Sequence, residues 1–554
     1  MTIESANIAR YMRHNAQQFP NRTAIVARTG RDTQGKAIYT TRSFHDLDRE
    51  SDQLAWGLSA YGLQRGTRVL VMVRTGLPLI SLAFALFKVG CVPVLIDPAV
   101  GIFRLAHCIA ECAPTAMIGI EIAQVARMLF LRHAMRSIHL SVTVGRTWGW
   151  HGPTLADLHA DIATPYPIAV TRPADPAAIL FTTGSTGMPK GVLYEHGMFE
   201  AQYHMLRQHY QIEAGEVDMP ALPLLALFDA AMGATTALPE INPARPAACD
   251  PVPIIELIND QGVTISFGSP TIWEPITHYC IEHNIRLPTL RRVLMAGAPV
   301  PTHLHARFQQ ILGPNADSHT PYGATEALPM TSASGREILA AHAAEAPTAG
   351  TCLGRPLPGI DLCIIPISET AIATWSDTLA LLPGEVGEIT VRGPSVSRHY
   401  VERPQAQAQA KIQAGTQVWH RTGDLGRLDA EGRLWFYGRK SQRVQLADRC
   451  LYTEPCERVF NQHPAVYRSA LVGIQRAGAT IPVIIIEPEP GKLPRHQRER
   501  NQFISELRSL ATQYPITTGI TTFLFHPALP VDVRHNAKIF REQLAVWADK
   551  QEPR

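Results

Sequence analysis

The segment Leu180-Phe181-Thr182-Thr183-Gly184-Ser185-Thr186-Gly187-Met188-Pro189-Lys190-Gly191 constrains the chain more than any other stretch. An apolar run, 177–181, reads as a buried strand and feeds a loop dense in glycine and hydroxyls with one lysine. Glycines let backbone N–H groups close on an anion, hydroxyls donate further hydrogen bonds, and the lysine adds a point charge. In chemical terms this is a phosphate cradle. It is not a Walker A loop, because Gly-Lys-Ser/Thr is absent. A surface turn is the alternative, but the unbroken run of hydroxyl and glycine residues after a buried-type strand favours the cradle.

The strand feeding that loop fits the pattern around it. Ser43 and Asp46 have capping-box spacing, and Phe44, Leu47, Leu54, Leu58 and Tyr61 follow at helical intervals up to Gly62. A strand at 68–73, a helix running to about Gly90 and a strand at 92–96 come next. Strand, helix, strand predicts a parallel, doubly wound α/β sheet. From about 345 to 437 short β-like runs (360–367, 388–392, 433–437) are broken by Pro and Gly, which predicts an antiparallel sheet or small barrel. After Arg439 helices and strands mix again, with a strand at 481–486 and a surface loop at 488–500. The best domain cut falls near 438–442.

Composition excludes several classes. Lys+Arg minus Asp+Glu is 51 − 48 = +3 over 554 residues, which is no footprint for nucleic acid. The nine cysteines show no CxxC spacing, so free thiols in a reducing cytosol are expected rather than disulfides or structural zinc. No signal peptide is read at the N-terminus. The most apolar stretch, 77–96, is broken by Lys88, Gly90 and Pro93, and its unbroken run before Lys88 is well short of the roughly 20 residues that span a bilayer. A cytoplasmic protein is expected. The basic cluster 495–500 reads as a solvated charge run.

Four further motifs carry chemistry. In Pro321-Tyr322-Gly323-Ala324-Thr325-Glu326 the aromatic can stack on a base, Thr325 can bond a phosphate oxygen, and Glu326 is a hard oxygen ligand for Mg²⁺. In Arg421-Thr422-Gly423-Asp424-Leu425-Gly426 a carboxylate on a Gly-flanked turn can take two ribose hydroxyls. Tyr437-Gly438-Arg439-Lys440 and Asn536-Ala537-Lys538-Ile539 complete the set.

The order and spacing of these motifs resemble the adenylate-forming superfamily: acyl-CoA ligases, luciferases and the adenylation domains of peptide synthetases. The resemblance runs over nearly the whole chain and is most specific at FTTGSTGMPKG. It implies a large N-terminal AMP-binding domain, 1–438, of two stacked α/β sheets plus a small β-barrel (345–437). A smaller α+β C-terminal domain, 439–554, would swivel about a hinge at Ser441. It implies ATP with Mg²⁺. Thr182, Thr183, Gly184, Ser185, Thr186 and Lys190 would hold the phosphates; Gly297, Ala298, Pro299, Tyr322 and Gly323 would line the adenine. Thr325 would touch the α-phosphate, Glu326 would ligate the metal, Asp424 and Arg439 would hold the ribose, and Lys538 would reach the α-phosphate and carboxylate. Lys538, Glu326 and Lys190 are thus the expected catalytic residues.

Departures from the family pattern bear on the second reaction. After Arg439 the family usually reads x-Asp-Asp-x-Ile-Lys-x-x-Gly; here Gln445 replaces the lysine and Asp448 the glycine beside the pantetheine tunnel of CoA ligases. Asp448 either disfavours CoA or marks drift in a tolerant loop. The acid pocket would be walled by Ala226, Phe228, Met295 and Leu328, with Ala226 where many fatty-acid activators carry His. An apolar wall suits alkyl chains, at roughly 0.8 kcal/mol per buried CH₂. Asp229 resembles the amine-reading carboxylate of peptide-synthetase domains. His196 faces the acyl carboxylate or satisfies a buried hydrogen bond.

The stretches FALFKVGCVPVLIDP, GRKSQRVQ and DVRHNAKIFREQLAVWA resemble a β-lactone-forming branch of the superfamily, which serves long-chain olefin formation. That implies adenylation of a 2-alkyl-3-hydroxy fatty acid, then attack by its own 3-hydroxyl, without CoA. Assembly with neighbouring pathway enzymes is also implied. A long-chain fatty acyl-CoA ligase is the alternative; an amino-acid adenylating enzyme and a non-catalytic scaffold are further ones.

Overall fold

The computed structural model describes residues 5–150, 152–182, 187–221, 226–242, 245–532 and 538–551. The helix expected after Ser43 is Phe44–Ala60, closed at its start by a reciprocal cap. Ser43 Oγ accepts from Asp46 N at 3.1 Å, and Asp46 Oδ2 accepts from Ser43 N at 3.1 Å. Helix Leu77–Val89 starts with Pro78 in its first turn and ends on Gly90 in the left-handed region (φ +80°). Its side chains are buried nearly all round, because it lies between two layers.

Those layers are two sheets. The seven-stranded sheet pairs Leu140–Val144, Ala116–Ile120, Arg68–Met72, Val92–Leu95 and Pro176–Phe181 in parallel, then adds Gly191–Glu195 and His399–Tyr400 antiparallel. The nine-stranded sheet holds Val217–Pro220, Ile265–Gly268, Arg292–Met295 and Asp317–Ala324 in parallel at its centre. A core of Phe84, Phe87, Tyr194, Phe199, Phe228 and Leu294 joins residues of both sheets. The doubly wound reading thus holds, twice over. Strands Pro176–Phe181, Arg292–Met295 and Asp317–Ala324 all run toward motif-bearing loops, the usual place for ligands in such sheets.

A six-stranded antiparallel sheet follows, built on the long strand Gln417–Leu428 with Gly387–Arg392 and Leu434–Arg439 beside it. Beyond Arg439 the chain makes a short hairpin, Val444–Gln445 with Cys450–Leu451, and a three-stranded sheet, Val466–Arg476, Ala479–Pro488 and Thr522–Phe525. That sheet has its own core around Phe460, Leu471, Ile484 and Phe523.

One expectation is corrected here. The loop predicted over 488–500 is shorter, because helix Gln497–Ala511 starts inside the basic cluster. Glu499 closes its start by accepting from His496 N at 3.2 Å and Arg495 N at 2.9 Å, with no Ser or Thr at the first position. Among the described residues all nine cysteines are free thiols. No described helix is long and apolar enough to cross a membrane.

Candidate active site

Strand Asp317–Ala324 hands its chain to a two-residue turn, Thr325 and Glu326, before strand Ala327–Ser334 returns antiparallel. Gly323 permits the close approach: a Cβ there would lie 2.7 Å from Ala327 O. Tyr194 Oη donates to Thr325 O at 2.7 Å and anchors the turn to the other sheet. Tyr322, one strand position back, donates its hydroxyl to Asp424 Oδ2 at 2.5 Å. Arg439 Nε lies 3.0 Å from Asp424 Oδ1, but at an angle that makes no hydrogen bond. One carboxylate oxygen therefore keeps its accepting capacity, as a ribose-binding residue needs.

Charge unites the rest. Burial raises the Asp424 carboxyl, while Arg439, the Tyr322 hydrogen bond and Lys538 pull it down; Glu326 pushes with burial. Lys538 and Glu326 thus act electrostatically on the carboxylate that Tyr322 and Arg439 flank. Lys538 sits where Asp532 N donates to its carbonyl at 3.0 Å, next to the bridge between Val531 and Ile539.

Glu326 has a second neighbourhood that the sequence did not announce. Tyr400 Oη donates to Glu326 Oε1 at 2.6 Å. Two ammonium groups face the Tyr400 ring, Lys190 Nζ at 5.2 Å and Lys411 Nζ at 5.6 Å from its centroid. Lys411 is buried and donates to Ser397 O and Oγ. Burial brings its ammonium down to about 7, Lys190 pushing the same way and Glu326 opposing. Neither Tyr400 nor Lys411 lies in a recognisable motif; Lys411 ends an Ala/Gln run that reads as plain helix.

The base of the phosphate loop is closed by Thr182 N donating to Lys190 O at 3.0 Å and Lys190 N donating to Thr182 Oγ1 at 3.2 Å. Thr183, Gly184, Ser185 and Thr186 lie outside the described residues. Gly297 takes a left-handed turn (φ +87°) after strand Arg292–Met295, with Ala298 and Pro299 on the same loop. Ser441 is the exposed middle of the 3₁₀ turn Lys440–Gln442. That turn is tied on one side by Lys440 Nζ to Glu388 Oε2 (3.1 Å) and on the other by Arg541 Nη1 donating to Gln442 Oε1 (3.2 Å). Asp448 is exposed at the tip of the following hairpin, and Gln445 is exposed on its first strand.

An apolar cavity opens beside this cluster. Its wall runs from Ala296, Pro321, Leu328 and Pro329 past Phe199, Leu227, Phe228 and Phe267 to Leu86, Pro93 and Leu95 between the sheets. Phe228 and Leu328 stand where the acid pocket was expected. Four other expected residues do not line this cavity. Ala226 is fully buried in helix Ala226–Met232. Met295 packs into the core with Trp273. Asp229 accepts from Thr236 Oγ1 at 2.9 Å and faces Asp218; burial and that neighbour push its carboxyl well above the usual range. Burial likewise lifts Asp218 to about 6. His196 sits behind Phe87, 6.1 Å between ring centroids, and burial lowers it to about 4. Neither of its ring nitrogens has a hydrogen-bond partner among the described residues. Nothing in the sequence marks the wall residues of helix Leu77–Val89, because an all-apolar helix gives no sign of which face borders a void.

This is the architecture of an adenylating enzyme, and residues 12–401 match the AMP-binding enzyme family; the chain belongs to it. The chain is 45% identical over 553 residues, 98% of each sequence, to the olefin beta-lactone synthetase of Stenotrophomonas maltophilia. It is 44% identical over 552 residues, again 98% of each, to that of Xanthomonas campestris pv. campestris. Among solved structures, the amide bond synthetase McbA from Marinactinospora thermotolerans superposes with a TM-score of 0.79 at 22% identity, covering 98% of this chain and 99% of that one. ATP-bound MatB from Rhodopseudomonas palustris superposes with a TM-score of 0.78 at 19% identity, covering 99% of both. These two likenesses carry the fold: an α/β adenylate-forming architecture. As an adenylate-forming enzyme the chain takes ATP and a small-molecule substrate.

Proposed function

We propose that the protein adenylates a long-chain 2-alkyl-3-hydroxy fatty acid with ATP and then closes it to a β-lactone, releasing pyrophosphate and AMP. The observation that carries this reading is the apolar cavity whose wall, at Pro321 and Leu328, adjoins the Tyr322–Glu326–Asp424–Arg439–Lys538 cluster. The name shared by the two relatives that match over nearly their full length supports the same chemistry.

In the first half-reaction a carboxylate oxygen attacks the α-phosphorus and the bond to pyrophosphate breaks. Charge grows on the equatorial oxygens, where Lys538 and Thr325 act and where a positioned cation lowers the barrier. Thr182 and Lys190, with 183–186, hold the departing phosphates. Gly297, Ala298, Pro299, Tyr322 and Gly323 frame the base, and Asp424 with Arg439 takes the ribose. Glu326 fits Mg²⁺: a single carboxylate with one oxygen held by Tyr400 suits an ion that keeps waters and leans on substrate phosphates. When bound, the ion would neutralise phosphate charge.

In the second half-reaction the 3-oxygen attacks the acyl carbon and AMP leaves. Nucleophile and electrophile share one molecule, so proximity supplies much of the rate. CoA has no part in this reading, and the charge of Asp448 at the hairpin tip agrees with that. The segment 439–554 turns as a unit about Ser441 against 1–438, including its β-rich part 345–437. The enzyme works in the cytoplasm, in association with the other enzymes of olefin formation.

The test is a product assay by NMR with ATP, Mg²⁺ and a synthetic 2-alkyl-3-hydroxy acid, with and without CoA. Lactone at equal rate in both is expected. A thioester formed only when CoA is present would make the protein an acyl-CoA ligase instead.

A further inference from the structure

The cavity wall is apolar except at one place. Two polar side chains, Tyr194 and Gln202, reach it, and both are buried. Gln202 projects from helix His196–Tyr210 and is 3% exposed. Its Nε2 donates to Leu328 O at 2.9 Å. A carbonyl oxygen can only accept, so the limb facing Leu328 is the amide nitrogen and the other limb is the oxygen. Tyr194, its polar neighbour on the wall, commits its own hydroxyl proton to Thr325 O at 2.7 Å. Gln202 Oε1 accepts no hydrogen bond among the described residues, and it belongs to a side chain on the wall of an otherwise apolar cavity.

An acceptor left over in an apolar pocket selects a ligand that brings a donor there. Leu328 and Thr325 bracket Glu326, so the network lies two residues from the adenylation motif and not at the far end of the alkyl channel. Resting on the function proposed above, we infer that Gln202 is the positioning residue for ring closure: its Oε1 accepts a hydrogen bond from the substrate's 3-hydroxyl and aims the 3-oxygen at the acyl carbon. In that step the O3–C1 bond forms and the bond from C1 to the AMP phosphate oxygen breaks. The electron pair leaves with AMP, and the hydroxyl proton is taken up by the departing phosphate. An amide oxygen is no base, so Gln202 orients the hydroxyl without removing its proton. Substrates without the hydroxyl leave Oε1 unpaired, which makes Gln202 a selectivity element as well.

The test uses the full chain with ATP and Mg²⁺, on a 2-alkyl-3-hydroxy acid and the matched acid lacking the hydroxyl. Pyrophosphate release reports adenylation, and NMR reports lactone. Gln202→Met keeps the length and removes the amide; Gln202→Glu, protonated by burial, keeps one donor and one acceptor. In Gln202→Met, lactone formed per acyl-AMP falls about tenfold, the worth of one hydrogen bond, and adenylation loses its preference for the hydroxy acid. Gln202→Glu recovers most of both. Lactone from the wild type with an unchanged split in Gln202→Met, or equal impairment in both variants, overturns this inference alone. Acyl-AMP without lactone from the wild type overturns the proposed function, and this inference with it.

Discussion

A lysine at the developing charge and a lysine that merely neutralises bound phosphate differ in what their loss does. Lys538 is drawn into the field of Asp424, which Tyr322 and Arg439 already occupy. If it acts on the pentacovalent phosphorus, its interaction is stronger in the transition state than in the ground state. Lys538→Ala then lowers kcat for pyrophosphate release about 10²–10³-fold, with the KM for ATP nearly unchanged. A large rise in KM with kcat preserved would instead make Lys538 a ground-state ligand. At this scale the sequence was informative in part. Tyr322, Glu326, Asp424, Arg439 and Lys538 stood in motifs whose residue types state their chemistry, and the chain brings them together. Asp229 and His196 stand near motifs that suggest a place in the acid pocket, with a buried hydrogen bond the alternative for His196, and each is buried away from the cavity. Adjacency along the chain does not tell which way a side chain turns. Tyr400 and Lys411 come from a distant strand and helix end, so only the fold could place them at Glu326.

Elements decide whether such residues are held still. Helix Arg541–Gln551 begins three residues after Lys538, and Arg541 is its anchor. Arg541 Nη2 donates to Glu457 Oε2 at 2.7 Å and Nε donates to Oε1 at 3.0 Å, a fork on a buried carboxylate. Its remaining arm reaches Gln442 at the 3₁₀ turn that holds Ser441. One guanidinium therefore links the loop of Lys538, the helix Thr453–Phe460 that carries Glu457, and the turn where the segment would pivot. Arg541→Lys keeps the charge and loses the fork. Misplacing Lys538 by even an ångström is costly, so kcat for adenylation drops about tenfold or more while the fold survives. Wild-type kcat in that variant would show that the fork serves stability alone. Helix and strand boundaries of this kind were legible where caps and alternation were strong, as at Ser43, Gly90 and 387–392. They failed at 497, where a histidine stands in place of a Ser or Thr cap and six polar residues hide the helical period.

For the whole molecule, the fold class followed from strand–helix–strand order, whereas the cavity did not, because its walls come from both sheets and from helices far apart in sequence. The interior has a collective consequence in acid. Burial lowers His196, His305 and His319 to about 4 and His342 to about 3. In the unfolded chain each titrates near 6.5. Between these values the unfolded chain binds protons that the folded chain refuses, so stability is present above pH 6.5 and is lost as pH falls toward 4. Asp218 and Asp229 act the other way, since their folded values are raised and protonation favours the folded state on the way down. Protonation of these two carboxyls offsets part of the loss, but four histidines each cost about 1–2 kcal/mol between pH 7 and 5, so the histidines set the sign. The urea midpoint is therefore lower at pH 5 than at pH 7. His305 shows the direction in isolation: its nitrogens already bond Ser318 Oγ at 2.8 Å and Thr320 Oγ1 at 3.2 Å. His305→Gln, which can keep hydrogen bonds there without titrating, flattens the fall between pH 7 and 5 relative to wild type. A midpoint that rises on acidification, or a slope that His305→Gln leaves unchanged, would assign the acid response to the carboxylates instead.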